Sequence, residues 1–126
     1  MKYEIISNDD LQTTLENVKA ALKSNGFGTL FQLNFKDKFA EHDIDYPNDF
    51  YVLEVCNPGY ARKILDISTD VGYFLPCKVV VYEDDGVKVG MMKPSEMLHM
   101  ITDDSRAVEI AKEVEDILMK SINKKS

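Results

Sequence analysis

The sequence predicts an α+β fold in which helices pack against an antiparallel sheet. Apolar residues recur at helical spacing near both ends of the chain, at Leu11, Leu15, Val18 and Leu22 and again at Ala107, Ala111, Val114 and Leu118. Between these stretches lie four runs rich in β-favouring residues, and an Asp85-Gly86 turn joins the last two. A fifth such run precedes the first helix.

The bulk composition sets bounds on this reading. A chain of 126 residues with 44% hydrophobic and 29% charged residues suits a single globular domain spanning residues 1–126. At this length folding removes roughly two thirds of the unfolded chain's surface from water. The two cysteines are therefore not required as staples. Acidic residues outnumber basic ones, 22 to 15, for a net charge of −7. No basic stripe with interleaved aromatics is present, so nucleic acid and anionic membrane surfaces are not expected partners. Met1 to Ser7 lacks the basic and long apolar segments of a signal peptide, and no apolar run reaches the roughly 18 residues of a membrane span. A cytoplasmic location is expected, where both thiols stay reduced.

Taken in order, Lys2–Ile6 reads as a strand. Ser7 with an acid three residues on resembles a capping box for the first helix, and Asn25-Gly26 stops it. Thr29–Phe35 alternates, which predicts a strand that buries Phe31, Leu33 and Phe35 on one face. Residues 36–49 are polar and predict a loop, with room for one helical turn, anchored by Phe39, Ile44 and Tyr46. Phe50–Val55 is nearly continuous in β-favouring residues and predicts a central strand ending at Cys56. Asn57 then suits an N-cap and Pro58 a first helical residue, opening a helix to about Ser68 that would bury Ile64, Leu65 and Ile67. Cys77–Tyr82 and Val87–Met92 should pair across the Asp-Gly turn, because a type I′ turn needs positive φ at both central residues. Pro94-Ser95-Glu96 begins a short helix. Asp103-Asp104-Ser105 caps the last one, whose closing lysines, Lys120, Lys124 and Lys125, suit its dipole.

Several short strings then fall in a telling order: Asn25-Gly26-Phe27, Cys56-Asn57-Pro58 with Ala61, Leu75-Pro76-Cys77 followed by Val79 and Val81, and Pro94 with Met97-Leu98. Together they resemble the bacterial and archaeal family called domain of unknown function 302 over nearly the whole chain. The resemblance implies a β-α-β4-α scaffold similar to half of the TATA-binding-protein fold, with the Pro58 helix inserted between the third and fourth strands. It also implies a homodimer. It does not imply DNA binding, since a fold does not fix a function.

The chemically pointed residues are the thiols. If the strand ending at Cys56 and the one starting at Cys77 run antiparallel, as the resembled fold implies, the two cysteines meet at one end of the sheet. A thiol beside a helix N-terminus is favoured as thiolate, the form that attacks electrophiles and binds soft metals. Cys56 is thus the candidate nucleophile or ligand, Cys77 its resolving or second ligand, and Asn57 the neighbouring polar group. Against this, Cys77 alternates in phase with Val79 and Val81, as a packed residue would. Met91, Met92, Met97, His99 and Met100 offer soft ligands on paper, but their spacing suits core packing. His42 and His99 belong to no local catalytic or metal spacing. Asp43, Asp45, Asp84, Asp85, Asp103 and Asp104 fall in expected turns and caps. No phosphate-binding glycine loop or serine-hydrolase elbow is present. Three roles follow: a module holding a small ligand or soft metal at the Cys56/Cys77 end of the sheet, a thiol redox or transfer enzyme using Cys56, or a protein-interaction domain with packed cysteines.

Overall fold

The computed structural model describes residues 1–123; the expected dipole partners Lys124 and Lys125 lie outside them. Strands β1 (Lys2–Ser7), β2 (Gly28–Asn34), β3 (Phe50–Cys56), β4 (Cys77–Glu83) and β5 (Val87–Met92) form one antiparallel sheet in the order β1-β5-β4-β3-β2. The helices are α1 (Leu11–Ser24), α2 (Phe35–Ala40), α3 (Pro58–Ile67), α4 (Pro94–Leu98) and α5 (Ser105–Asn123), with a 3-10 turn at Thr69–Phe74. The antiparallel sheet packed by helices, and the helix between the third and fourth strands, are as the resemblance implies; the strand order is new information from the structure.

Period-two alternation places Leu53 and Val55 of β3, Val79 and Val81 of β4, and Val89 and Met91 of β5 on one face, all buried. Against this face lie α1, through Leu15, Val18 and Leu22, and α5, through Val114, Leu118 and Ile122. Fully burying each such side chain contributes about 1.5–3 kcal/mol. The two helices are also joined by polar contacts. The Asn25 amide donates to Ser121 Oγ at 2.9 Å, and that hydroxyl donates to the Ile117 carbonyl at 2.8 Å.

Several local expectations are corrected. The N-cap of α1 is Asp10, whose carboxylate accepts the Thr13 amide at 2.7 Å; Ser7 instead bonds Thr14 Oγ1 and accepts the Asp9 amide. β2 is an edge strand with a bulge between Thr29 and Phe31, so Phe31 is 50% exposed rather than buried. Phe35 leaves the strand to start α2, because buried Asn34 caps that helix through Lys36 N–H and also accepts Phe50 N–H. An aromatic chain from Tyr46 through Phe39, Phe35 and Phe50 to Tyr82 then packs this corner. In α3, Ile64 is buried and Ile67 half-buried, whereas Leu65 faces outward. The β4–β5 turn has positive φ at Asp85 and Gly86 as expected, but Glu83 pairs with Val87, which leaves three residues in the loop. No helix among the described residues is long and apolar enough to cross a membrane.

Candidate functional site: a cavity at the thiol end of the sheet

Below the main core a second apolar cluster forms where α3, the 3-10 turn, α4 and α5 meet, built on Ile64, Val71, Leu98, Ala107 and Ala111. The two clusters do not merge everywhere. A cavity of about 240 Å³ lies between them at the end of the sheet where β3 stops and β4 starts. From the main core come Phe27, Val55, Val114 and Cys77; from the second come Ile64, Val71, Leu98 and Ala111. Ala61 and Ala111 line it from two helices, and their single methyl groups leave space that longer side chains would fill. Tyr73 borders it while 86% exposed, so the cavity reaches solvent beside the 3-10 turn.

Each candidate residue is placed by the strand and helix termini. β3 and β4 are antiparallel with Val55 opposite Cys77, so Cys56 directly follows Cys77's cross-strand partner. Both cysteines are free and half-buried, and both line the cavity. Burial pushes the Cys77 thiol up to about 11; charge on Cys56 adds to the rise, and the Lys78 ammonium opposes it. Cys77 is therefore a neutral thiol at physiological pH, packed in phase with Val79 and Val81. Asn57 caps α3 by accepting the Tyr60 amide at 3.1 Å, and its own amide donates to the Gly26 carbonyl at 3.0 Å. Gly26 sits at φ +89°, and a Cβ there would come within 3.0 Å of the Asn57 amide. Asn57 thus ties the end of α1 to the start of α3.

The electrostatics of the lining are sparse. Among the described residues, Lys78 is the one charged side chain on the lining, and its ammonium already meets Glu54 at 2.8 Å across the strands. Phe27 and Tyr60 stack with centroids 6.4 Å apart. Among the described residues, no three His, Cys, Asp or Glu side chains gather into a metal-binding group. The methionine-histidine cluster separates: Met91 enters the core, Met92 and Met97 line the cavity, and Met100 and His99 face outward, with His99 3.6 Å from Asp103. His42 is exposed and is not among the residues that line the cavity.

Residues 3–124 match the family model described as Domain of unknown function DUF302. The chain belongs to that family. The crystal structure of an uncharacterized conserved protein DUF302 from Bacillus stearothermophilus superposes with a TM-score of 0.94 at 36% sequence identity. The match covers 99% of this chain and 98% of that one. No curated protein matches the chain. Neither description of the DUF302 matches names an activity. The strings that carry the DUF302 resemblance converge in space: Phe27, Cys56-Asn57, Ala61, Leu75-Pro76-Cys77, Pro94 and Met97-Leu98 all line the cavity. Sequence reasoning found the thiol corner but not the 3-10 turn, Ala111 or Val71, which reach the site only through tertiary packing.

Proposed function

We propose that this chain is a binding module that holds a small, neutral, apolar molecule in the cavity beside Cys56 and Cys77, within a reducing cytoplasm. One observation carries the reading. Residues from strings far apart in sequence enclose a single space that is apolar on nearly every side, and Lys78, the one cation on it among the described residues, is already paired. An apolar cavity of roughly 150 Å³ stays dry and accepts benzene, so about 240 Å³ suits a somewhat larger ligand. The high proton affinity of Cys77 favours packing or neutral hydrogen bonding over attack by that thiol. The test is thermal unfolding with a panel of neutral aromatic and aliphatic probes, alongside Ala61→Phe. Probes at a hundred times their Kd should stabilise the protein by about 2.7 kcal/mol, and the filled variant should lose that response. A panel with no effect on the parent protein contradicts the proposal.

A second copy of the chain as partner rests on a separate observation. The sheet face away from α1 and α5 carries Leu33, Val52 and Val80 in register, and Phe31 beside them is half-exposed. Sedimentation should give a dimer that Phe31→Glu weakens. A parent protein that is monomeric at high concentration rejects this part.

A further inference from the structure

Two walls of the cavity are fastened to the molecule in different ways. The wall made by α4 is tied by polar bonds. Glu115 of α5 accepts both the amide and the hydroxyl of Ser95, and Lys93, just before α4, donates its amide to the Met1 carbonyl at 2.8 Å. The wall made by the 3-10 turn and the two residues after it brings Val71, Tyr73, Phe74, Leu75 and Pro76 to the lining. Among the described residues, every hydrogen bond of that turn stays between Ser68 and Leu75, and Asp70 makes no ion pair. Within the turn Val71 alone is buried, at 2% exposed, and its contact with Ile64, Leu98, Ala107 and Ala111 is the anchor. Tyr73 stands 86% exposed at the mouth. The residues flanking the turn, Ser68 and Leu75, are both extended.

We propose that the 3-10 turn is the lid of this cavity. It pivots on Ser68 and Leu75, lifts Val71 out of the second cluster to admit the apolar molecule, and lays the Tyr73 ring over that molecule on closing. A 3-10 turn has poorer hydrogen bonds than an α-helix, and a segment with one buried anchor and no bonds to its surroundings opens at low cost. Covering the Tyr73 ring removes apolar surface from water, so a bound molecule favours the closed lid. The lid depends on the cavity being a binding site, as proposed above, and adds the way in. α4 is not the door, because its opening would strip the buried Glu115 carboxylate of its Ser95 donors.

The experiment follows toluene, a neutral aromatic probe, on the intact chain. The sequence has no tryptophan, so Tyr73→Trp places a single reporter at the mouth. Saturating toluene should shift its emission to the blue and reduce its quenching by acrylamide. Val71→Ala takes two methyl groups from the anchor and should raise toluene association and dissociation rates together by about tenfold, read from NMR exchange between free and bound probe. Ser95→Ala loosens α4 instead and should leave both rates unchanged. Rates that rise with Ser95→Ala but not with Val71→Ala make α4 the door and overturn the lid. Faster dissociation alone in Val71→Ala also overturns it, since that marks a lost contact rather than an easier passage. If Val71→Ala fails to fold, the tryptophan emission decides. Toluene binding with an unmoved reporter removes the lid and leaves the cavity reading standing; if neither toluene nor the rest of the panel binds, cavity and lid fall together.

Discussion

Replacing Glu115 by alanine should cost this fold about 2–4 kcal/mol, because one buried carboxylate fastens α4 to α5 at the edge of the cavity. Glu115 is 2% exposed and accepts the Ser95 hydroxyl at 2.7 Å, the Ser95 amide at 3.2 Å and the Lys112 ammonium at 2.9 Å. The Lys112 bond is half in solvent and adds at most about 1 kcal/mol. The larger share comes from Ser95, whose donors would lose a charged acceptor, and from the void left behind. Urea unfolding reads this directly. With a slope of about 2 kcal/mol/M, the midpoint should fall by about 1–2 M with the slope unchanged. Acidity supplies a second reading. Burial raises the Glu115 carboxyl, but hydrogen bonds from Lys112 and Ser95 outweigh it and hold the group below the usual carboxylate range. A group lowered in the folded state stabilises fully above its unfolded value of about 4.3 and loses that contribution as pH falls through its folded value. The gap between parent and variant should therefore shrink below about pH 4. An unchanged midpoint at pH 7, or a gap no smaller at pH 3 than at pH 7, refutes the reasoning.

Three further outcomes follow from single groups. Asn57→Ala removes the α3 cap and the bond to Gly26, and should lower stability by about 1–2 kcal/mol in the same urea assay, with Asn57→Asp recovering the cap alone. The Tyr82 hydroxyl donates to Glu4, and this bond first, then burial and the Glu4 and Asp84 charges, push Tyr82 up to about 12. Ultraviolet titration should show a tyrosine ionising late, absent in Tyr82→Phe, which keeps the stack on Phe50; an unaltered titration would contradict the contact. Cys77, raised to about 11, should resist alkylation at pH 8 while unfolded protein reacts fully. Because its folded value lies above its unfolded one, its contribution is complete below the unfolded value and fades as pH rises through about 11; equal alkylation of native and unfolded protein would contradict its burial.

The order of elements was legible because the periodicities of α1 and α5 and the β-rich runs agree with their turn residues. The misread elements have physical causes. β2 alternates like a half-buried strand, but its edge position and bulge turn Phe31 toward solvent, and sheet order is not written in local pattern. Ser7 offered a plausible cap three residues early, while Asp10 satisfies Thr13 directly. Cys56, Asn57 and Cys77 were legible as a corner because strand ends and a helix start are local events. The cavity was not, since its far wall is Val71, Leu98 and Ala111, brought in by packing of four separate segments.

The most direct test of the central claim is binding of neutral apolar probes to the intact protein, followed by amide chemical shifts and repeated on Ala61→Phe and Ala111→Leu. The account predicts saturable shifts confined to the residues around Cys56, Tyr60, Leu75 and Leu98 in the parent protein, and their loss in at least the Ala61 variant while the fold is retained. Shifts that centre on the open sheet face, or that survive unchanged in both filled variants, would contradict it.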